Sequence, residues 1–392
     1  MAAPMAPAGP GATLPLGLYV HLPWCVRKCP YCDFNSHQAK DDLPARAYTD
    51  ALIADLRAEA ALAGARPVST VFFGGGTPSL FPGEEIARIL DAVRAMLDLA
   101  EDAEITLEAN PGASDAGRFA AYAAAGVNRL SIGAQSFDAA MLSALGRIHG
   151  PGETADAFAM ARAAGIGNIN IDLMFGLPHQ DQPGAAADLS SALTLAPEHI
   201  SYYNLTLEPG THFASHPPPL PAEDAIWEIQ DGGHRLLHDA GFECYEVSAF
   251  ARPGRRCRHN VNYWRFGDYL GVGAGAHGKL TDNTTGQVTR SEKTRSPRLY
   301  MAQAESGRIG RGERVVAAPD LVFEYMLNAL RLREGFDFDD FERATGLPAA
   351  VLETPLERAV ERGLIATDDA GSLAPTALGN RFLNDLQAIF LP

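Results

Sequence analysis

The sequence predicts an α/β protein: a partial (β/α)6 barrel followed by a winged-helix-like α+β domain at the C-terminus. Three observations predict this fold. Six short apolar runs alternate with amphipathic helical patterns over residues 17–210. Polar residues follow the ends of these runs, as they do at the C-terminal face of a barrel. From Pro319 onward the order changes to three helices and two short strands.

The predicted strands are short, rich in Val, Ile, Leu, Phe or Tyr, and end near Gly, Pro or Asn. They span residues 17–22, 70–74, 104–108, 129–133, 168–174 and 199–207. Between them, Tyr48, Leu52 and Leu56 share one helical face, and Ile86 and Ile89 share another. Strands that alternate with helices favour a parallel sheet, either curled into a barrel or left as an open doubly wound sheet.

The pattern changes along the chain and predicts four regions. They are a disordered leader over 1–16, the barrel over 17–215, a barrel extension with a connector over 216–316, and the winged-helix-like domain over 317–392. In the extension, 221–240 predicts a helix, 241–280 predicts β structure with a Gly-rich loop, and 285–316 predicts a polar connector.

Composition excludes several classes of protein. The chain has 392 residues, 46% of them hydrophobic, so it can bury a globular core. Its net charge of −16 argues against nucleic acid as a partner, because phosphate binding needs clustered Lys and Arg. Residues 320–392 carry six Arg, no Lys and thirteen Asp or Glu, so the last domain favours a structural or protein-contact role.

The sequence also predicts where the protein is found. No apolar run reaches the roughly 18 residues of a membrane span. The first 24 residues contain no Lys or Arg, so no signal peptide is expected. The five cysteines, three of them within eight residues, favour a reducing cytoplasm and cysteines that bind a metal or cluster.

The first predicted strand leads into a loop that holds Cys25, Cys29 and Cys32, with the spacing Cys-x3-Cys-x2-Cys. Three thiolates on a tight loop can bind three irons of a [4Fe–4S] cluster and leave the fourth iron open. S-adenosylmethionine (SAM) can chelate such an iron through its amino and carboxylate groups. The alternative is a zinc site completed by His21 or His37, although zinc motifs usually come as paired Cys-x2-Cys units.

Polar residues at the later strand ends suit the other parts of SAM. A Gly-rich run at 74–76 lets the backbone approach a ligand closely. The carboxylates of Glu108 and Asp172 suit ribose hydroxyls or an ammonium, and Arg147 suits a carboxylate. The alternative is that each of these side chains caps a helix or forms a surface ion pair.

The chain resembles the radical SAM superfamily, and within it the anaerobic coproporphyrinogen III oxidase branch. The resemblance covers nearly all of the chain beyond residue 16. It rests on the cysteine spacing with an aromatic residue before the last Cys, and on Gly-Gly-Gly-Thr-Pro-Ser at 74–79, Glu-Ala-Asn-Pro at 108–111, Gly-Ala-Gln-Ser-Phe at 133–137 and Leu-Gly-Arg at 145–147.

This resemblance implies a cluster, SAM and a one-electron reductant, whose electron splits SAM into methionine and a 5′-deoxyadenosyl radical. It also implies which residues contact SAM. These are Tyr19, Tyr31, Gly75, Gly76, Thr77, Glu108, Gln135, Arg147 and Asp172, with Thr206 and Ala276 as backbone contacts.

Two functions compete within the branch: oxidative decarboxylation of coproporphyrinogen III, and a heme chaperone that holds heme and delivers it. Three features favour the chaperone. Phe34 stands where the oxidase has a further Cys, only 24 residues precede Cys25, and residues 259–264 match the HNxxYW pattern of the chaperone group. The resemblance then implies heme as cargo and heme-accepting proteins, such as respiratory enzymes, as partners. It implies a cytoplasmic protein, with at most peripheral contact at the inner face of the membrane.

The HNxxYW segment suits heme physically. The imidazole of His259 is a good axial ligand for heme iron, and Tyr263 and Trp264 offer flat apolar surface with a polar edge. Cys257 is an alternative ligand, and the plain alternative is ordinary packing. The runner-up function is an oxygen-independent coproporphyrinogen III dehydrogenase, and a third is a winged-helix nucleic-acid-binding regulator. Whether the protein turns SAM over, and so acts as an enzyme, stays open at this point.

Overall fold

The computed structural model describes residues 14–39, 43–113, 115–282, 284–367 and 371–392. Most of the predicted leader, residues 1–13, lies outside the described residues. Leu14 is buried in the C-terminal core, and the first strand begins at Leu16.

The described strands belong to one large sheet and two small pairs. In chain order they are β1 Leu16–Leu22, β2 Trp24–Cys25, β3 His37–Gln38, β4 Val68–Gly75, β5 Leu99–Ala109, β6 Arg129–Gln135, β7 Ile169–Phe175, β8 His199–Asn204, β9 Glu243–Cys244, β10 Ala249–Ala251, β11 Asp268–Val272, β12 His277–Thr281, β13 Val288–Lys293, β14 Arg311–Val315, β15 Ile365–Thr367 and β16 Leu373–Pro375.

The described α-helices alternate with the strands in the first half of the chain and then cluster near its end. They are α1 Ala45–Ala63, α2 Gly83–Met96, α3 Ala116–Ala125, α4 Ala139–Ala144, α5 Pro151–Ala163, α6 Gln182–Thr194, α7 His212–Ser215, α8 Glu223–Asp239, α9 Arg258–Trp264, α10 Pro297–Glu305, α11 Ala318–Ala329, α12 Phe338–Thr345, α13 Glu353–Glu361, α14 Ala377–Arg381 and α15 Leu383–Ala388. Among the described residues, none of these helices is long and apolar enough to cross a membrane.

Six neighbouring strands, β1 and β4 to β8, run parallel in chain order and form the partial barrel. All but one of the seven residues of β1 are buried, as expected for a parallel strand covered on both faces. The predicted fold class is therefore confirmed, and every predicted barrel strand overlaps an observed one. Parallel pairing brings the carboxyl ends of these strands to one edge, where the cysteine loop lies.

Residues 241–316 form more regular structure than the sequence predicts. The HNxxYW segment is the helix α9 and not part of a β region. The predicted connector at 285–316 instead forms two strands and a helix, β13, α10 and β14. β11 pairs parallel with β1, and β12 to β14 extend the sheet antiparallel. The extension continues the barrel's own sheet, so the sheet shows no break between these two regions. The predicted region boundaries therefore stay predictions.

The C-terminal domain has its own hydrophobic core around Leu321, Tyr325, Phe341 and Leu386. Three helical segments precede the antiparallel pair β15–β16, which is the order of a winged helix. The third helical segment begins as a 3-10 turn at Ala349–Leu352. The sequence did not predict α14 and α15, which follow the β15–β16 pair, and α15 contributes Leu386 to this core.

A buried charge cluster joins α1 to the barrel extension. Lys293 Nζ lies 2.7 Å from Asp55 Oδ1 and 2.6 Å from Glu59 Oε1, and all three side chains are almost completely buried. Tyr300 OH and the Gly273 N–H both donate to Asp55 Oδ2. Because buried charges must be paired to be tolerated, this cluster fixes α1 against the loop that follows β11.

Candidate functional site

The cysteine loop is closed by short-range backbone pairing. Cys25 ends β2, and β2 pairs with β3, so the intervening residues must turn back on themselves. The Cys32 N–H donates to the Cys29 carbonyl at 3.2 Å. The Thr77 N–H donates to the Trp24 carbonyl at 2.7 Å and holds the loop against the end of β4. All three cysteines are half-buried and unbridged.

The Cys25 thiol is influenced by the other two. Burial raises the pKa of Cys25, and the neighbouring Cys32 and Cys29 raise it further, while a hydrogen bond with Thr77 opposes the shift. Among the described residues, no three Cys, His, Asp or Glu side chains converge on one metal-ion position. A cubane needs no such convergence, because each thiolate binds a different iron.

His21, one of the two residues offered with His37 as the fourth ligand of the alternative zinc site, is engaged elsewhere. Its Nε2–H donates to the Asn35 carbonyl at 2.9 Å, so Nδ1 accepts the hydrogen bond from Tyr19 OH at 3.0 Å. Burial lowers the pKa of His21. Both ring nitrogens are thereby used to position the strand end beneath the loop, and neither faces the cysteines as a spare ligand.

A cavity of about 500 Å³ opens beside the thiols. It is lined by side chains from the loop and from the carboxyl ends of β4 to β8. The predicted residues on its wall are Cys25, Cys29, Cys32, Tyr31, Gly75, Gly76, Thr77, Glu108, Gln135, Arg147, Asp172 and Trp264. The structure therefore brings together nearly all of the predicted cluster and SAM residues.

Two glycines at the end of β4 are required by close packing. Gly75 has φ of 117°, and a Cβ there would lie 2.6 Å from the His21 ring. A Cβ at Gly76 would lie 2.5 Å from the Trp24 carbonyl oxygen. A side chain at Gly75 would displace the His21 ring, and one at Gly76 would displace the backbone that leads into the cysteine loop.

The cavity holds a pair of buried acids. Burial, followed by the charge of Asp172, raises the pKa of Glu108 to about 8, against a hydrogen bond donated by the Gly75 N–H. Burial also raises the pKa of Asp172, while hydrogen bonds from Ser131, Ser201 and Asn170 oppose the shift. Two carboxyls that resist ionisation here suit a cationic ligand, whose charge would favour their ionised form.

Because of this acid pair, we expect the free energy of unfolding to depend on pH. The folded state raises the pKa of Glu108 from 4.5 to about 8, so folding favours its protonated form, and stability is lost as pH rises through that window. The variant Glu108→Gln keeps the neutral form. Without SAM, the free energy of unfolding of this variant should exceed that of the parent by an amount that grows as pH rises. The difference should reach about 2 kcal/mol near pH 8, which is less than the full pKa shift would give, because the cavity admits water. Thermal denaturation measured against pH tests this.

The control for this measurement is Glu101→Gln, an exposed position on the same strand, β5. It should follow the parent at every pH. A gap between Glu108→Gln and the parent that stays constant with pH would contradict a raised pKa at Glu108.

Arg147 joins the cavity to the loop. Its Nη2–H donates to the Gly133 carbonyl at 2.7 Å, and its Nη1–H approaches Cys29 Sγ at 3.8 Å. Its Nε is buried and has no hydrogen-bond partner among the described residues. Gln135 adopts a φ of 68° and accepts a hydrogen bond from Tyr203 OH at 2.6 Å. The arginine thus keeps one donor for an anionic ligand such as a carboxylate.

Three predicted SAM contacts do not line the cavity. Tyr19 lies behind the cavity wall, and its hydroxyl hydrogen-bonds the His21 ring. Thr206 is exposed beyond the end of β8. The N–H and carbonyl of Ala276 are bonded to Gly273 and Lys293.

The structure adds wall residues that the sequence analysis missed. Ser131, Ser201 and Tyr203 lie on β6 and β8. Strand alternation, which places Ser201 and Tyr203 on one face, is the sequence pattern that could have found two of them. No sequence pattern around Arg331 could have placed it in the cavity wall, because Arg331 comes from the C-terminal domain.

The HNxxYW helix, α9, buries His259 and Asn262, and its other residues are half-buried or exposed. His259 Nδ1 hydrogen-bonds Thr70 Oγ1 and His259 Nε2 hydrogen-bonds Tyr263 OH, both at 2.8 Å. Burial lowers the pKa of His259 to about 3, so the ring is neutral. Glu104 accepts from the His259 N–H at 3.1 Å and supports the start of the helix. Neither His259 nor Tyr263 lines the cavity, whereas Trp264 does.

Cys257, the alternative heme ligand, is also buried. Its thiol donates to Glu104 Oε1 at 3.6 Å, and burial raises its pKa to about 12. Coordination of heme iron by His259 or Cys257 would therefore require breaking contacts that hold α9 in place. Of the heme candidates in the sequence, Trp264 lines the cavity beside the thiols, and Tyr263 lines a separate, smaller cavity together with Trp264.

A chain of buried hydrogen bonds links the acid pair to α9. Asn170 Nδ2 donates to Asp172 Oδ1 at 2.8 Å, and Asn170 Oδ1 lies 2.6 Å from His199 Nδ1. His199 Nε2 lies 2.9 Å from Tyr245 OH, which accepts from the Cys257 N–H at 3.3 Å. The sequence analysis did not predict this chain, because its members come from separate strands and loops.

The fold and the site together define a class. Three thiols at the carboxyl edge of a partial α/β barrel, beside a cavity with an acid pair and an arginine, are the arrangement of radical SAM proteins. Two family models match the chain: Radical SAM superfamily over residues 19–186, and HemN C-terminal domain over residues 316–382.

Curated proteins narrow the class to a family. The chain is 49% identical over 377 residues to heme chaperone HemW of Escherichia coli (strain K12), covering 96% of this chain and 98% of that protein. It is 45% identical over 381 residues to heme chaperone HemW of Haemophilus influenzae, with the same two coverages. The chain therefore belongs to the HemW family of the radical SAM superfamily.

A solved structure supports the fold alone. Coproporphyrinogen III oxidase (HemN) from Escherichia coli, a radical SAM enzyme, matches with a TM-score of 0.81 at 24% identity, covering 96% of this chain and 90% of that chain. The likeness spans both the barrel and the C-terminal domain.

The residues present fit a [4Fe–4S] cluster and SAM. Three half-buried thiols share one loop, and two glycines leave the neighbouring backbone without side chains. In the part of the chain that the structure describes, the buried Arg147 Nε in the cavity wall has no hydrogen-bond partner. When bound, the cluster supplies single-electron reduction of SAM. The chain itself would hold the cluster through Cys25, Cys29 and Cys32 and set acidic and cationic groups around the ligand.

Proposed function

We propose that this protein is a heme chaperone of the radical SAM type, which binds a [4Fe–4S] cluster, SAM and heme and passes heme to acceptor proteins. The observation that carries the proposal is the near full-length identity of 49% to heme chaperone HemW of Escherichia coli. The structure supports it at the cysteine loop, where Phe34 is 66% exposed at the place where the oxidase resemblance calls for a further Cys.

The roles proposed for the site follow from its geometry. The three cysteines hold the cluster, the acid pair Glu108 and Asp172 faces the cationic part of SAM, and Arg147 faces its carboxylate. Thr206, Tyr19 and Ala276 act indirectly, by shaping the backbone around the cavity.

The partners and location are proposed on the same basis. Heme-accepting respiratory proteins would receive the cargo, and a one-electron reductant would serve the cluster. The protein would work in the cytoplasm, with peripheral contact at the inner face of the membrane. Nucleic acid is not a proposed partner, because residues 320–392 carry a net charge of −7.

Anaerobic protein with its cluster reconstituted tests the function directly. We expect hemin, titrated by absorbance, to form a stable complex with one site per chain. In parallel, incubation with coproporphyrinogen III, SAM and a reductant should give no protoporphyrinogen, because a heme chaperone carries heme and does not decarboxylate its precursor.

The two assays separate the candidate functions. Decarboxylated product without specific heme binding would overturn the chaperone and establish the oxygen-independent coproporphyrinogen III dehydrogenase. A matched control is the same protein without its cluster, titrated with hemin in the same buffer. It reports whether heme binding needs the cluster.

A further inference from the structure

We propose that the porphyrin is held in a groove between the barrel extension and the C-terminal domain, by stacking and by arginine–carboxylate pairs without an iron ligand from the groove. This inference rests on the proposed chaperone function and names its heme site. The groove, called here the C-terminal groove, encloses about 570 Å³. Its principal lining residues are Val247, Trp264, Leu327, Arg331, Arg381 and Phe382.

The groove offers the apolar faces that a flat macrocycle needs. Leu327 and Phe382 are 42% and 45% exposed, from α11 and from the end of α14 respectively. Trp264 and Val247 complete the apolar wall from the barrel side. Together they offer an apolar surface on one groove that a flat apolar ligand would cover.

The groove also offers the cations that a dicarboxylate needs. The guanidinium of Arg331 lies over the Trp264 ring at 4.2 Å and donates to Glu246 Oε2 at 2.8 Å. Arg381 lies over the ring of Trp227 at 4.7 Å. Two arginines match the two propionate carboxylates of heme, and charge-assisted pairs of this kind are the strong ones. Asp385 also lines the groove, at its α15 side.

Two donors on the shared wall have no partner among the described residues. They are Trp264 Nε1–H and Arg331 Nε–H, and both atoms are buried. A buried donor without an acceptor costs free energy, and a small rotation of either side chain toward an anionic ligand at this wall would relieve that cost. This observation is independent of the apolar lining and points to an acceptor-bearing occupant.

The wall connects the groove to the cysteine site. Trp264 and Arg331 line the C-terminal groove on one side and the cluster cavity on the other. A porphyrin stacked on Trp264 would therefore lie one side chain away from the SAM cavity. The groove lining contains no His or Cys among the described residues, and His259 lies behind Tyr263. Affinity should then depend on the macrocycle and its carboxylates and not on iron.

The test uses full-length protein with its cluster and three probes: hemin, zinc protoporphyrin IX and hemin dimethyl ester. The test variant is Arg381→Glu with Phe382→Ser, both at exposed positions of the groove. The control variant is Arg358→Glu with Val360→Ser, an exposed cation and an exposed apolar residue on α13. The two variants carry the same charge change, and each loses one exposed apolar side chain, but only the test variant changes the groove.

We expect the parent and the control to bind hemin and zinc protoporphyrin IX with similar Kd values. The test variant should bind both at least about tenfold more weakly, since it loses one charge-assisted pair and one stacking side chain. The dimethyl ester should bind the parent about tenfold more weakly than hemin, because its carboxylates are masked.

The outcomes test the C-terminal groove and the chaperone function separately. A parent protein that binds no probe would overturn the chaperone function itself. A parent that binds hemin, with equal Kd for the test variant, would overturn the groove alone. Binding of hemin but not of zinc protoporphyrin IX would also overturn it, because the iron would then be the point of attachment.

Discussion

Replacing Cys29 with Ser should leave the chain folded and without its cluster. Cys29 is half-buried on a surface loop, so the barrel core does not depend on it. A three-thiolate site that loses one ligand retains two, which do not hold a cubane. After anaerobic reconstitution, bound iron and acid-labile sulfide in Cys29→Ser should fall to less than about one tenth of the parent value. Near-native thermal denaturation should accompany the loss.

The chain provides a matched control at Cys244. That cysteine is also half-buried, but its thiol donates to the Glu246 carbonyl at 3.2 Å on β9, away from the loop. Cys244→Ser should bind a full complement of iron. Iron retained by Cys29→Ser, or lost from Cys244→Ser, would contradict the assignment of the cluster to the loop.

Replacing Lys293 with Met should destabilise the fold by about 3–5 kcal/mol, because the carboxylates of Asp55 and Glu59 would lose their shared cation inside the protein. Arg311 Nε, 3.5 Å from Glu59 Oε1, would compensate only one of them. Denaturant-induced unfolding measures the loss. The loop at Gly273, bonded to Asp55, should lose amide-exchange protection as well.

Two further variants make this result specific. Arg298→Met removes an exposed cation five residues away and should cost less than about 0.5 kcal/mol. Adding Glu59→Gln to Lys293→Met should recover part of the lost stability, since one buried charge is removed with its partner. A Lys293→Met protein as stable as the parent would show that the cluster contributes little to the fold.

The barrel could be predicted because its signals are local. Each strand of the barrel carries its own apolar run, and each run must be buried on both faces, so the alternation with helices specifies the parallel order. The helix α9 was missed for the opposite reason. Its residues are buried by contacts with Glu104 and Thr70, more than 150 positions away in the chain, and not by an amphipathic pattern of its own.

The candidate site divides in the same way. Cysteine spacing and the glycine run are short motifs, so the sequence alone located the loop and most of the cavity wall. The direction in which His259 points depends on Thr70 and Tyr263 and could not be read from spacing. The sequence marked an imidazole suited to iron, and the structure placed both of its nitrogens in hydrogen bonds.

By itself, then, the sequence determined the fold class, the cysteine loop and the residues at the strand ends, because those depend on periodicity and on spacing within a few residues. The tertiary structure alone decided that Arg331 from the C-terminal domain meets Trp264 from the barrel extension and forms the wall between the cavity and the groove. Contacts between separately folded segments depend on shape and burial across long chain distances, and no local pattern encodes them.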